Sequence, residues 1–288
     1  MDANLVRRIG FAVIAIPVAL GIVWLGGIPL ALLVAIVSVL GTRELFDLAG
    51  HQDIRPARIL GYITAAAFAP LALAGLTDAG VRAFVFDAWP YAAALWLIGL
   101  LTWALLSRAP TGKPLATVAV SALGPLYAGA LPAFLLSIRH GGFGNRSWAG
   151  TWLVFFPLVL TWICDTAAMF GGRAFGTTKL APTISPGKTR AGAIAGLVGA
   201  LVAAPIYNHF VLVPEGVGMR LWQSLVFAAV LAVVGQVGDL AESLFKREAG
   251  VKDSSHLIPG HGGILDRFDS LYFVLPVAAV LYRLFASS

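Results

Sequence analysis

The chain has 288 residues, of which 59% are hydrophobic and 12% charged, with a formal net charge of +6. Its mean hydropathy of +0.86 excludes a water-soluble globular protein and assigns the chain to a lipid bilayer. Membrane orientation and anionic headgroups account for the basic excess, so nucleic acid is not an expected partner, and the single Cys164 excludes an internal disulfide.

A helix needs about 20 apolar residues to cross roughly 30 Å of hydrocarbon, and most apolar runs approach that length. The ten-residue alternation of an outer-membrane barrel is missing. The chain therefore reads as all-α, a polytopic integral membrane protein with about nine transmembrane helices. They are predicted over residues 9–25, 27–42, 59–76, 89–107, 115–138, 148–170, 191–213, 221–245 and 270–286. The first follows Arg7 and Arg8 without a small-residue cleavage site, and is expected to be retained rather than removed as a signal peptide. The second is the least regular, because Gly26, Gly27 and Pro29 leave only a short turn before it. With the N-terminus in the cytoplasm, Arg82, Arg139, Arg146, Arg220 and Arg283 face the opposite side, and the other fifteen of the 20 Lys and Arg residues stay inside. That asymmetry favours a cytoplasmic N-terminus.

Residues 1–140 read as scaffold helices with short connections. Glu44, Asp47 and Asp87 fall near predicted helix ends and are expected to be solvated at the interface. Chemistry concentrates in residues 141–288, a catalytic region within one integrated membrane domain, where the two longest polar loops both lie on the cytoplasmic side.

Three groups of residues carry that chemistry. Asp165 ends the sixth predicted helix, and the loop after it supplies Ser185, Lys188, Thr189 and Arg190. Lys188-Thr189 lacks the glycine spacing and preceding strand of a P-loop. Gly192, Gly196 and Gly199 follow at helical spacing and predict close helix packing. At the end of the eighth helix, Gln236, Asp239, Ser243 and Lys246 share one face, flanked by Glu242. A carboxylate at the end of an apolar span is costly unless paired or bound to metal, so Asp239 marks a site. Its bland alternative is an ion pair with Lys246 or Arg247. Gly235 and Gly238 thin the same turn for a close ligand or helix.

The third group is the run from Ser243 to Asp269. Lys246, Arg247, Lys252 and Arg267 suit phosphates, while Asp253, Asp266 and Asp269 are hard oxygen donors suited to Mg²⁺. Gly260, Gly262 and Gly263 around His261 let backbone N–H groups converge on an anion. Asp266 and Asp269 are three apart, and share a face if a helix begins there. His261 is read as a hydrogen-bonding residue rather than an acid–base catalyst.

This run resembles the signature of the phosphatidate cytidylyltransferase, or CDP-diacylglycerol synthase, family. The matching positions are Ser243, Lys246-Arg247, Lys252-Asp253, His261-Gly262-Gly263 and Asp266-Arg267-Phe268-Asp269, and the likeness extends upstream to Asp239, Asp165 and Ser185-Pro186 with Lys188-Thr189. One departure is Ala191, where the family usually has glutamate. The resemblance implies transfer of CMP from CTP to phosphatidic acid, giving CDP-diacylglycerol and pyrophosphate, with Mg²⁺ and a second cation such as K⁺. It implies Asp239 and Asp266 as metal ligands; Asp165 and Asp269 join them as candidates. Lys246 and Lys252 are assigned to catalysis with these two. Ser185, Lys188, Thr189, Ser243, Arg247, Asp253, His261, Gly262, Gly263 and Arg267 are assigned to substrate. A bacterial inner membrane, a cytoplasmic active site and a homodimer are the accompanying expectations. The alternatives are a CTP-dependent kinase acting on a polyprenol or diacylglycerol, and an ion-coupled transporter.

Overall fold

The computed structural model describes residues 16–255, 257 and 262–286. In chain order the helices are α1 (Ile16–Leu25), α2 (Gly27–Gly50), α3 (Arg58–Thr77), α4 (Ala79–Ser107), α5 (Pro114–Pro125) and α6 (Leu131–His140). They continue with α7 (Trp148–Phe175), α8 (Arg190–Tyr207), α9 (Leu221–Glu248) and α10 (Leu265–Ala286). A π-helical turn, Leu126–Ala130, fuses α5 and α6 into one span, and a second, Asn208–Leu212, lengthens α8. Eight spans among the described residues are long and apolar enough to cross a membrane. They correspond to the second through ninth predicted helices. The first predicted helix is represented only by the short α1, and the rest of it lies outside the described residues.

The helices run past their predicted ends. α2 continues to Gly50 rather than 42, α4 begins at Ala79 rather than 89, and α10 begins at Leu265 rather than 270. Hydropathy detects the edge of the hydrocarbon, whereas a helix continues through the headgroup layer until its backbone is capped. Asp78 supplies such a cap for α4, accepting from the Val81 amide at 2.9 Å. These overhanging turns carry the charged residues, Glu44, Asp47 and Asp266 among them.

Helix α4 stands at the periphery, with Leu105 and Leu106 79% and 81% exposed, an apolar surface suited to a bilayer. The core lies among α2, α6, α7, α9 and α10, where Phe156 stacks on Phe227 with ring centroids 5.0 Å apart. Helices α7 and α8 meet through glycine. A Cβ at Gly192 would lie 2.7 Å from the Ala168 carbonyl oxygen, and one at Gly196 would lie 2.9 Å from that of Cys164. Gly238 admits α10, since a Cβ there would lie 2.9 Å from the Asp269 carbonyl oxygen. The glycines of α9 therefore serve helix packing.

The α1–α2 junction is clamped at the end of the bundle remote from the α9–α10 connection. Gly26 and Gly27 turn the chain with φ of 63° and 52°, a region that disfavours side chains. The fully buried Arg139 donates to the carbonyl oxygens of Val23 (2.6 Å), Trp24 (2.8 Å) and Gly144 (3.0 Å), and His140 Nε2 accepts from the Gly27 amide at 2.9 Å.

A small antiparallel hairpin, β1 (Lys179–Ala181) and β2 (Ser185–Thr189), joins α7 to α8 with Lys179 opposite Thr189 and Ala181 opposite Ser185. These are the only strands among the described residues of an otherwise helical protein.

Candidate active site

Where α7, the hairpin, α8 and α9 converge, a cleft of about 410 Å³ opens, lined by Asp165, Arg173, Lys179, Lys188, Gln236 and Asp239 among others. Each element delivers its share for a local reason. Helix α7 overhangs as far as Phe175 and so presents Asp165 and Arg173. The hairpin brings Lys179 and Lys188 to the cleft and sets Lys188 against α9. Thr189, 7% exposed, caps α8 by accepting from the Gly192 amide at 3.1 Å, which fixes the junction between strand and helix.

Lys188 Nζ lies 2.5 Å from Asp239 Oδ2, so the partner of Asp239 is Lys188 and not Lys246 or Arg247. Ser243, one turn further along α9, donates to Asp239 Oδ1 at 3.3 Å. Gln236 donates to the Ala193 carbonyl oxygen at 3.3 Å and ties α9 to α8. The carboxylates of Asp165, Asp239 and Asp269 lie within electrostatic reach of one another and of Lys188. Carboxylates and cations thus meet in the cleft, which Asp165 and Asp239 line together with Arg173, Lys179 and Lys188.

Lys246, at the far end of the same polar face, turns instead toward α10. Its Nζ meets Asp266 Oδ1 at 2.7 Å and also pairs with Glu242 one turn back. Glu242 is fully buried, and Lys246 is the only group compensating its charge among the described residues. Asp266 Oδ2 is more heavily used. It accepts from the backbone amides of Ser254 (2.9 Å) and Gly263 (2.8 Å) and contacts Ser254 Oγ at 2.9 Å. The glycine turn therefore does aim a backbone N–H at an anion, and in this structure that anion is Asp266. Gly262 has a φ of 78°, and a Cβ there would lie 2.7 Å from Asp266 Oδ2.

The remaining sequence candidates are distributed around these two clusters. Arg247 donates to the carbonyl oxygens of Ile184 (3.1 Å) and Val251 (2.9 Å), bracing the hairpin turn against the end of α9. Lys252, Asp253 and Arg267 are exposed, and Ser185 lies in β2. Asp269 Oδ1 accepts from the amide of Ser270 at 2.6 Å. His261 lies outside the described residues.

Sequence reading missed Arg173 and Lys179, which looked like topogenic charge, and it misjudged Glu44. Asp47 is half-exposed, paired with Arg58 at 2.7 Å, but Glu44 is 3% exposed and reaches the α9–α10 connection. Nothing local to α2 distinguishes the two carboxylates. Glu242 was legible in principle, since it precedes Lys246 by one helical turn inside an apolar helix.

The donor chemistry suits a hard divalent cation: carboxylates dominate, and an ammonium already rests against Asp239 and another against Asp266. Asp266 Oδ2 accepts from two backbone amides and Oδ1 is held by Lys246, so a cation bound to Asp266 would share Oδ1 with that ammonium or displace it. Among the described residues no group of three or more His, Cys, Asp or Glu side chains is gathered tightly enough to hold a metal by itself. A cation here needs ligands from its substrate or from water, the ordinary arrangement for Mg²⁺ bound with phosphates.

A helical membrane bundle with a polar cleft that Asp165 and Asp239 line together with Arg173, Lys179 and Lys188 defines a class: a polytopic membrane protein with a charged cleft where helix ends and a hairpin converge. Comparison with known proteins makes the class specific. The model of the cytidylyltransferase family matches residues 6–285. A phosphatidate cytidylyltransferase of Haemophilus influenzae is 43% identical over 167 residues, covering 57% of this chain and 55% of that protein. One from Staphylococcus saprophyticus is 43% identical over 153 residues, covering 51% and 57%. In these two cases the chain spans about half the length of the relative. One from Brucella suis is 33% identical over 280 residues, covering 97% of this chain and 93% of that protein. The chain belongs to the cytidylyltransferase family.

Proposed function

We propose that this protein is a phosphatidate cytidylyltransferase, which transfers CMP from CTP to phosphatidic acid and releases pyrophosphate. The observation that carries the reading is the cleft, with Lys188 set against Asp239 and with Arg173 and Lys179 at its walls. A phosphate oxygen of the lipid attacks the α-phosphorus of CTP, and the bond from that phosphorus to the oxygen bridging to the β-phosphate breaks. The attacking oxygen is already anionic at neutral pH, so no side chain need remove a proton. The difficulty is bringing two anions together, and Lys188, Lys179 and Arg173 reduce it by screening their repulsion and fixing their approach.

Asp239 and Asp266, with Asp165 and Asp269 as further candidates, would hold Mg²⁺ and a second cation such as K⁺, which would supply Lewis-acid stabilisation of the charge on the phosphates. Lys246 holds Asp266 Oδ1 toward α9, and Ser243 orients Asp239. Lys252, Arg247, Asp253, Arg267 and the His261 turn are assigned to substrate at the mouth of the site. Phosphatidate keeps its tails in the bilayer, so it enters sideways between helix ends. The site faces the cytoplasm, where CTP is found, from a bacterial inner membrane.

Purified protein supplied with phosphatidate and CTP, labelled in cytosine and separately in the γ-phosphate, tests this. Cytosine label is expected in the lipid and γ label in pyrophosphate. γ label in the lipid would establish a lipid kinase instead, and no turnover would favour a transporter.

A further inference from the structure

Helix α10 begins at Leu265 and follows Ile264, whose apolar side chain cannot accept from the leading amides. A carboxylate from the other half of the chain does so. Glu44 of α2 accepts from the Ile264 amide at 2.9 Å through Oε1 and from the Leu265 amide at 2.8 Å through Oε2. Ser255 Oγ donates to Oε1 at 2.6 Å, and Ser254 Oγ lies 2.8 Å from Oε2. Three donors, the two amides and Ser255 Oγ, are committed to Glu44, which is 3% exposed, and the negative charge sits at the positive end of the α10 dipole.

The arrangement reaches the candidate catalytic carboxylate directly. Ser254 Oγ stands between Glu44 Oε2 and Asp266 Oδ2, at 2.8 and 2.9 Å. A hydroxyl carries one proton and donates to one carboxylate at a time, while the Ser254 amide keeps its own bond to Asp266 Oδ2. Gly263 lies so close to Ser254 Oγ and Glu44 Oε2 that no Cβ fits there. Both ends of the α9–α10 connection, Ser254-Ser255 and Ile264-Leu265, are thus drawn onto one side chain.

We propose that Glu44 is a positioning residue of the active site, setting the start of α10 and thereby the place of Asp266 against Lys246. Glu44 itself touches none of the residues that line the nucleotide cleft. The consequence is specific: loss of Glu44 disturbs turnover and spares the cleft. The role as stated rests on the cytidylyl-transfer reading, while the capping geometry does not.

The test uses the full-length protein in detergent–phosphatidate micelles. Glu44→Gln keeps volume but replaces one acceptor oxygen with an NH₂ that faces other donors. The variant is expected to lower kcat about 10- to 100-fold, with KM for CTP within about twofold, because misplacement of a reacting constellation acts on the rate step. Glu44→Asp, which keeps the charge, is expected to recover much of kcat, and Ser255→Ala to lower it less than Glu44→Gln does and to add little in the Glu44→Gln background. Ser255→Ala also serves if Glu44→Gln fails to fold. Unchanged kcat in Glu44→Gln, or kcat and KM falling and rising together with no recovery in Glu44→Asp, would overturn the proposal. Amide exchange at Ile264 and Leu265 is read in parallel. If the parent protein turns over no CTP, the proposed function fails; faster exchange in Glu44→Gln, reversed in Glu44→Asp, would then still support the clamp, and unchanged exchange would refute it.

Discussion

Lys246 offers the sharpest test of how charge is balanced inside this bundle. It is 8% exposed and bridges two carboxylates, Glu242 and Asp266. In Lys246→Met the two are affected unequally. Asp266 retains the Gly263 and Ser254 amides, whereas Glu242 retains no hydrogen-bond partner among the described residues and is fully buried. Breaking a buried pair by removing one partner costs ~3–5 kcal/mol, and nearly all of it should fall on Glu242. For a chain of this size that is a fall of roughly 6–10 °C in the thermal midpoint, measured in detergent by near-UV circular dichroism or by intrinsic fluorescence. Adding Glu242→Gln to Lys246→Met removes the stranded charge and should restore most of the loss. A midpoint within about 2 °C of the parent in Lys246→Met, or no recovery in the double variant, would refute the assignment of Lys246 as the compensating charge.

Other expectations follow from the same geometry. Lys188→Met should lower kcat/KM at least about 100-fold with the midpoint changed little, because Lys188 and Asp239 are both partly exposed in the cleft; steady-state kinetics with CTP checks this. Arg139→Ala should destabilise by about 2–4 kcal/mol, since three backbone carbonyl groups lose a charged donor, while kcat stays near the parent value because the clamp lies at the other end of the bundle. Gly196→Val should cost at least about 1–3 kcal/mol by forcing α8 away from the Cys164 carbonyl oxygen, and thermal unfolding of the purified variant would show it. Asp239→Asn and Asp266→Asn should each abolish turnover in a folded protein; near-normal rates in either would sink its assignment as a metal ligand.

Much of the site was readable because polar residues in an apolar chain are expensive and so stand out. Asp165, Asp239 and the run from Ser243 to Asp269 announced themselves in this way, and the i, i+3, i+7 spacing on α9 placed Gln236, Asp239 and Ser243 together without any knowledge of the fold. The class and the second through ninth predicted spans came from the same source, since hydrocarbon thickness sets the length of an apolar run. Helix ends did not, because the overhanging turns of α2, α4 and α10 are polar and hydropathy stops at the lipid.

Pairing across the chain is what only the tertiary structure decided. The sequence offered Lys246 or Arg247 as partners for Asp239, both within its own helix; the fold chose Lys188, brought over by a hairpin too short for its strands to be read from pattern. The sequence placed Glu44 and Asp47 alike at a wet interface; the fold left Asp47 there and buried Glu44 against Ser254, 210 residues away. The physical reason is the same in both cases. Local spacing fixes which side chains share a helical face, but which neighbour that face meets depends on how the helices cross, and here glycine contacts between α7 and α8 and between α9 and α10 set the crossings.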